Sequence, residues 1–202
     1  MSCPLKRSTH HHGDLKSELI SATKALVAEN GADAVSINQA ARQAGVSTAA
    51  PYKHFKDRDA LLTNVAFDCL IEMQEQTALI LSEHSEGSID GLIAISRNYV
   101  DFATSNPNIF KLMFSYTRAH NKDAEMMERS PEGFALVRSA VGAHFGCRAD
   151  DKLAVDRSFM LWSFVHGLSF IVIDEKSDSV GQHLDLELII PNAVKSLMAC
   201  AE

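Results

Sequence analysis

A pair of short helical segments joined by a glycine turn, within residues 34–59, constrains the fold more than any other part of the chain. Ser36 and Gln39 stand three residues apart, the spacing of a capping box at the start of a helix. Ile37 and the alanines after it recur at helical intervals and give that helix one narrow apolar face. Gly45 follows, and glycine accepts the positive φ that a tight turn after a helix requires.

A second helix is predicted to begin at Ser47, which is a good N-cap residue, and to run through Phe55. Pro51 falls in its first turn, where the missing N–H costs least. Ala49 and Ala50 are small, so the backbone at the start of this helix can approach another surface closely. Two helices with a short turn that contains glycine form a helix-turn-helix unit.

A helix-turn-helix unit binds DNA by placing its second helix in a major groove about 12 Å wide. The alternative is an ordinary helical hairpin whose polar residues are solvated. For DNA binding, the base-reading candidates are Asn38, Gln39, Thr48, Ala49 and Ala50. The candidates for holding phosphate are Ser47, Tyr52, Lys53, His54, Lys56 and Arg58. Ser36, the cap of the first helix, completes the predicted set of DNA-binding residues.

The run GVSTAAPYKHFKDRDALL, preceded by SINQAARQA and by a segment ending in NGADAV, resembles the DNA-binding domain of TetR-type transcriptional repressors. Their pattern has Gly-Val-Ser before a Tyr-x-His-Phe recognition segment and a basic residue leading into the fourth helix. The matching residues are Gly45, Val46, Ser47, Tyr52, His54, Phe55 and Lys56.

This resemblance implies an all-α protein of about nine helices. Residues 1–56 would form a three-helix DNA-binding domain, and residues 57–202 a helical domain for effector binding and dimerisation. Residues 1–9 are expected to form a flexible arm, and the three histidines after it to lead into the first helix. The helix that begins after Asp57 would join the two domains and set the spacing of the DNA-reading heads.

The net charge of −7 is unevenly distributed along the chain. Residues 1–60 carry eight Lys and Arg against six acids, whereas residues 61–202 carry 11 against 20. The direction suits DNA binding by the first part, but the small excess predicts few phosphate contacts. The longest apolar run, residues 159–173, is shorter than a membrane span, and no signal peptide is evident. We therefore expect a cytoplasmic protein that does not enter membranes.

Cysteine and histidine spacing gives no indication of a metal or cofactor. The four cysteines are scattered, which favours free thiols over a disulfide framework, with a redox-sensing role as the alternative. Trp162, His166 and Gly167 resemble the Trp-x-x-x-His-Gly signature of one C-terminal subgroup of TetR proteins. His166 is interpreted as a hydrogen-bonded core residue, the alternatives being a metal or haem ligand or a general base.

Methionine and aromatic residues are concentrated at residues 109–116 and around Trp162. Core packing explains such residues, and so does the wall of an apolar ligand cavity. The predicted cavity residues are Phe67, Leu70, Tyr99, Phe110, Met113, Phe114, Trp162 and His166. Any effector is expected to be a small apolar molecule.

Two C-terminal helices are too apolar for the surface of a monomer. Eleven of the 15 residues at 159–173 are apolar, and the last helix carries a wide apolar stripe. A helix that is apolar all round needs a partner on every side, which predicts a four-helix interface in a homodimer. The predicted interface residues are Phe159, Leu161, Val165, Leu168, Val172, Ile190, Val194 and Leu197.

These features predict a ligand-responsive repressor that releases a palindromic operator when a small molecule binds. One alternative is a DNA-binding regulator without a small-molecule effector. The other is an enzyme that uses His166, which is disfavoured because the sequence has no nucleophile elbow, metal-spaced cluster or glycine-rich phosphate loop.

Overall fold

The computed structural model describes residues 14–119, 132–176 and 184–199; the predicted arm and the three histidines lie outside them. The described residues form eight α-helices and two short 3₁₀ helices, with no strand, which confirms the all-α fold. The α-helices are α1 (Asp14–Asn30), α2 (Ile37–Gln43), α3 (Arg58–Ser82), α4 (Ile89–Ser105), α5 (Pro107–Ala119), α6 (Glu132–Phe145), α7 (Lys152–Ile173) and α8 (Leu186–Leu197). The 3₁₀ helices are Ala32–Ala34 and Pro51–Lys53.

Side-chain caps define where several of these helices begin. The Asp57 carboxylate accepts a hydrogen bond from the backbone N–H of Ala60 at 2.8 Å, so α3 begins where the sequence predicts. Ser88 caps α4 and Asp185 caps α8 in the same way. Each cap satisfies one of the N–H groups that the first turn of a helix leaves unpaired.

The amino-terminal part packs α1 against α2 and the start of α3. Leu19 of α1, Ile37 of α2, Phe55 and Leu61 are all buried and share one apolar cluster. This cluster fixes the orientation of the segment between α2 and α3, because Phe55 lies in that segment and is only 2% exposed. Helix α1 therefore braces the segment from behind.

The carboxy-terminal core encloses most of the residues predicted for the dimer interface. Leu161, Val165 and Leu168 of α7, with Ile190 and Val194 of α8, are buried within a single chain. Val172 and Leu197 are partly buried against the same cluster, and Phe159 alone of the eight is exposed. Since α7 is apolar on every face, its sequence did not show which face α4 and α6 cover.

Apart from Phe159, the exposed apolar residues of α7 lie on its opposite side. Leu153, Met160, Gly167 and Ile171 recur at intervals of seven, seven and four residues, so they form one stripe, named here the outer face of α7. Leu188 of the neighbouring α8 is 61% exposed. In the described ranges, no helix combines the length and hydropathy needed to cross a membrane.

Candidate nucleic-acid interface and internal cavity

The start of α2 has the predicted capping box. The Ser36 hydroxyl accepts from the backbone N–H of Gln39 at 3.2 Å, and the Gln39 side-chain oxygen accepts from the backbone N–H of Ser36 at 2.8 Å. The Ser36 hydroxyl also lies 2.7 Å from that oxygen. The oxygen of Gln39 is thus used within the chain, which leaves the exposed Asn38 as the more available side chain on α2.

A glycine turn follows α2 as predicted. Gly45 has a φ of 69°, a value that favours glycine over other residues. The backbone N–H of Val46 donates to the carbonyl of Ala41 at 2.9 Å and closes the turn. The next segment, residues 47–56, is named here the recognition segment.

The recognition segment is helical over a shorter stretch than the sequence predicts. Instead of an α-helix from Ser47, a turn at residues 47–50 leads into the 3₁₀ helix Pro51–Lys53. The backbone N–H of Ala50 donates to the carbonyl of Ser47 at 3.0 Å, but Pro51 has no N–H to add the next bond to that carbonyl. The segment therefore forms a turn followed by a short 3₁₀ helix.

The recognition segment divides into a buried anchor and an exposed surface. Pro51 and Phe55 are buried, while Ala50 and His54 are half-buried. Tyr52 is 57% exposed, which is unusual for an aromatic side chain so close to the apolar cluster around Phe55. The exposed residues of the segment are Ser47, Thr48, Ala49, Tyr52, Lys53 and Lys56. They include its polar and cationic candidates for phosphate contact.

Arg58 is placed differently from the other phosphate candidates. Its Nε donates to the carbonyl of Val35 at 2.7 Å, and one terminal nitrogen donates to the carbonyl of Ala32 at 2.5 Å. The other terminal nitrogen lies 3.3 Å from the Asp59 carboxylate. Through these contacts its guanidinium ties α3 to the backbone before α2, and a phosphate contact of Arg58 stays a prediction.

A cavity of about 460 Å³ lies in the carboxy-terminal part, between α3, α4, α5, α6 and α7. Its size is within the range of small-molecule sites in proteins. Its lining residues are Leu70, Met73, Gln74, Thr77, Ile95, Ser96, Tyr99, Phe114, Phe134, Val137, Phe159, Leu161, Trp162 and Val165. Helix α3, which begins directly after the recognition segment, therefore forms part of the wall.

The sequence identified this wall in part. Of the predicted residues, Leu70, Tyr99, Phe114 and Trp162 line the cavity. The other four do not: Phe110 and Met113 are fully buried, Phe67 is half-buried, and His166 lies behind Tyr99. Phe159, Leu161 and Val165 line the cavity although they were assigned to the dimer interface.

Helical spacing could have indicated the wall residues that were not predicted from the sequence. Leu70, Met73, Gln74 and Thr77 fall at intervals of three, one and three residues and share one face of α3. On α6, Phe134 and Val137 repeat the spacing. The same periodicity also describes an ordinary core face, so the spacing alone did not distinguish a wall from a filled core.

A polar group stands at the cavity edge, among the aromatic rings. The Tyr99 hydroxyl lies 2.9 Å from Nδ1 of His166 and is also hydrogen-bonded to Trp162. The ring of Trp162 stacks on that of His166, with centroids 5.0 Å apart and an angle of 27°. Burial raises the pKa of Tyr99 and lowers the pKa of His166. At neutral pH the tyrosine hydroxyl is therefore hydrogen-bonded to an uncharged imidazole.

The described residues show no metal centre, and Cys69 is not a reactive thiolate. They contain no group of three or more His, Cys, Asp or Glu side chains that could hold a metal ion. Burial raises the pKa of the Cys69 thiol to about 11, so this cysteine is protonated at neutral pH and lacks the thiolate that redox sensing uses.

Two family models match this chain, one in each of its parts. Residues 19–65 match the model of bacterial regulatory proteins of the tetR family, and residues 92–185 match the tetracyclin repressor-like C-terminal domain. The Trp-x-x-x-His-Gly subgroup is not confirmed by these matches. No curated protein sequence matches the chain.

Solved structures share the whole fold. A protein of unknown function from Rhodococcus sp. RHA1 is 23% identical, with a TM-score of 0.80 over 95% of this chain and 97% of that chain. The regulator FadR from Bacillus subtilis, in complex with stearoyl-CoA, is 16% identical, with a TM-score of 0.65 over 91% and 97%. A TetR-family regulator from Bordetella parapertussis 12822 is 17% identical, with a TM-score of 0.62 over 92% and 95%.

The two family models lie on the two parts of the chain that the geometry distinguishes. One covers the helix-turn-helix unit with its capping box and glycine turn, and the other covers most of the helices around the cavity. The chain therefore belongs to the TetR family of transcriptional regulators, with a helix-turn-helix DNA-binding domain followed by a C-terminal helical domain.

Proposed function

We propose that this regulator is a ligand-responsive repressor, which releases a palindromic operator when a small molecule occupies the cavity. Residues 1–56 bind DNA, and residues 57–202 dimerise and hold the effector, within the cytoplasm. The observation that carries the proposal is that α3 serves both parts. It begins directly after the recognition segment, and further along it contributes Leu70, Met73, Gln74 and Thr77 to the cavity wall.

Helix α3 has the contacts that transmission requires. Its first residue, Arg58, is hydrogen-bonded to the backbone before α2. From Arg58 to Gln74 is 16 residues, or about 24 Å of helix at 1.5 Å per residue. A ligand that binds better to one tilt of α3 shifts the population towards that tilt. The helix-turn-helix unit moves with it.

The exposed side of the recognition segment supports the DNA-binding role. Tyr52, Lys53 and Lys56 are all exposed there, beside the small residues Thr48 and Ala49. The lysines suit phosphate oxygens, and the small residues let the backbone approach the bases. Two such units in a dimer read half-sites about 34 Å apart, or a multiple of that distance.

The outer face of α7 supports dimerisation through residues other than those predicted from the sequence. Met160 and Ile171 are 46% and 42% exposed, and Leu188 of α8 lies exposed nearby. Gly167 stands between the two α7 residues with no atom within 4 Å of an added Cβ, so a second helix can approach closely there. A second copy of the chain covers this surface when its α7 and α8 pack against α7 and α8 of the first copy. The two pairs together form a four-helix interface.

An effector is also consistent with a solved relative, because the FadR structure from Bacillus subtilis is a complex with stearoyl-CoA. A catalytic role for His166 has less support. Its Nδ1 faces the Tyr99 hydroxyl, and its side chain does not line the cavity. We therefore propose a regulator and not an enzyme.

Selection of bound duplexes from a random DNA pool tests the proposal, followed by native mass spectrometry of the complex. The expected result is an inverted repeat bound by two chains. A ligand that co-purifies with the free chain and is absent from the DNA complex would support the effector role over a regulator without a small molecule. Failure to enrich any sequence contradicts the function.

A further inference from the structure

We propose that the cavity binds an uncharged aromatic molecule with a single carbonyl group, which accepts a hydrogen bond from the side-chain amide of Gln74. This inference rests on the proposed effector role and names the class of ligand. It follows from three properties of the wall: its charge, its unused polar groups and its rings.

The described residues of the wall offer no partner for a charged ligand. None of the 14 described lining residues is Asp, Glu, Lys, Arg or His. In the described part of the chain, Nε of Arg97 and Nε of Arg138 are buried without a partner, but neither side chain lines the cavity. A carboxylate or phosphate placed against these residues would lose part of its hydration without gaining a counter-charge from them. A neutral ligand therefore fits the described wall.

The three hydroxyl side chains on the described wall are each hydrogen-bonded within the chain. The Thr77 hydroxyl donates to the Met73 carbonyl at 2.8 Å, and the Ser96 hydroxyl donates to the Leu92 carbonyl at 2.7 Å. The Tyr99 hydroxyl is hydrogen-bonded to Nδ1 of His166. Neither Thr77 nor Ser96 has a second proton to offer a ligand.

Gln74 is the exception among the polar side chains of the described wall. Its half-buried side chain lines the cavity, and its amide makes no hydrogen bond to any other described residue. The amide nitrogen has two protons, so it supplies a donor that no other described residue uses. A carbonyl oxygen matches this donor. One such group is enough, because the rest of the described wall is apolar apart from three hydroxyls and the Trp162 indole, which are hydrogen-bonded within the chain.

Aromatic rings form much of the remaining wall. Five of the 14 lining residues are aromatic, namely Tyr99, Phe114, Phe134, Phe159 and Trp162. The rings of Phe134 and Phe159 each pack against Trp162, with centroids 6.3 Å and 5.8 Å away. Rings arranged in this way offer edge and face contacts to another ring in addition to burying apolar area. This arrangement favours a planar aromatic ligand.

Three naphthalene probes and one acyl thioester test the class directly. The neutral ketone is 2-acetylnaphthalene, and naphthalene is its counterpart without the carbonyl. The two charged probes are 2-naphthoate, which is anionic at neutral pH, and stearoyl-CoA. Trp162 is the only tryptophan of the chain and lines the cavity, so its fluorescence reports binding to the full-length protein without DNA. We expect the ketone to bind about threefold to tenfold more tightly than naphthalene, a ratio typical of one hydrogen bond. Neither 2-naphthoate nor stearoyl-CoA should compete with it.

Two glutamine variants identify the hydrogen-bonding residue. Gln74→Leu should abolish the preference for the ketone over naphthalene while it leaves the naphthalene affinity within about twofold. Gln76→Leu is the matched control, because Gln76 is exposed on the same helix and does not line the cavity; this variant should behave as the wild type. Unchanged thermal unfolding of both variants shows that the fold is intact.

The outcomes separate this inference from the proposed function. Binding of 2-naphthoate or stearoyl-CoA at least as tightly as the ketone overturns the neutral class, as does the absence of any response to the ketone. A Gln74→Leu variant that keeps the ketone preference overturns the role of Gln74. The fluorescence assay contains no DNA, so the two claims can fail separately. If the chain binds the ketone but selects no duplex, the proposed function is contradicted and the ligand class is still supported.

Discussion

The hydroxyl of Tyr99 on α4 lies 2.9 Å from Nδ1 of His166 on α7. This contact joins the two helices behind the aromatic wall of the cavity and uses Nδ1 of His166. While the ring is neutral, the donor is set by which ring nitrogen carries the proton. When His166 is protonated, Nδ1 donates and the tyrosine oxygen accepts.

His166→Gln should remove part of the pH dependence of stability. Burial lowers the pKa of His166 in the folded chain below the ordinary 6.5. As the pH falls below 6.5, the unfolded chain therefore takes up this proton before the folded chain does, and the free energy of unfolding decreases. Urea unfolding measured from about pH 7.5 to about pH 5 should show a smaller decrease for the variant. Parallel curves for the two proteins would contradict the assignment.

Lys53→Ala and Lys56→Ala should each weaken binding to selected and unselected duplexes alike. Each loss of a phosphate contact is expected to reduce the salt slope of binding by about 1. Fluorescence anisotropy over a range of salt concentrations measures both effects. Arg148→Ala is the control, because Arg148 is exposed in the α6–α7 turn and pairs only locally with Asp150. A change in sequence preference with an unchanged slope would exclude the phosphate role.

Arg58→Met should lower stability without changing the salt slope. The substitution leaves the carbonyls of Val35 and Ala32 without their guanidinium donor. Because the Arg58 side chain is 34% exposed, we expect a cost of only about 1–2 kcal/mol. Chemical denaturation measures the cost, and the Lys56→Ala slope provides the comparison. A salt slope reduced as much as in Lys56→Ala would instead indicate that Arg58 contacts phosphate.

Ile171→Glu and Leu188→Glu should produce folded monomers. Both side chains are exposed in the isolated chain, so a glutamate there costs little until a second copy covers it. Sedimentation velocity should show half the mass of the wild type, with unchanged helical circular dichroism. Val194→Ala, at a fully buried position, should instead destabilise the fold by about 2 kcal/mol and leave the dimer intact. Charged variants that still dimerise would place the interface elsewhere.

The features that short-range chemistry determines could be predicted from the sequence. The capping box of Ser36 and Gln39, the positive φ of Gly45 and the cap at Asp57 depend on residues within a few positions of each other. The recognition segment was predicted less well. Its Pro51 was treated as harmless in a first turn, whereas its missing N–H limits the regular helix to a 3₁₀ turn.

Features that depend on which neighbour covers a helix could not be predicted. Leu161 and Val165 were assigned to an interface between chains, but α4 and α6 bury them within one chain and around the cavity. The pattern of α7 gives no preferred face, because apolar residues surround the whole helix. The hydrogen bonds of the Arg58 guanidinium could not be predicted either, because their acceptors lie 23 and 26 residues earlier in the chain.

The coupling between the cavity and the recognition segment is the central claim, and one fluorescence titration tests it most directly. The affinity of 2-acetylnaphthalene for the full chain is measured through Trp162, with and without a saturating selected duplex. Because coupling between two sites is reciprocal, we expect the duplex to weaken ketone binding by the same factor by which the ketone weakens duplex binding, about 5-fold to 150-fold. An identical ketone affinity in the presence and absence of the duplex would contradict the account.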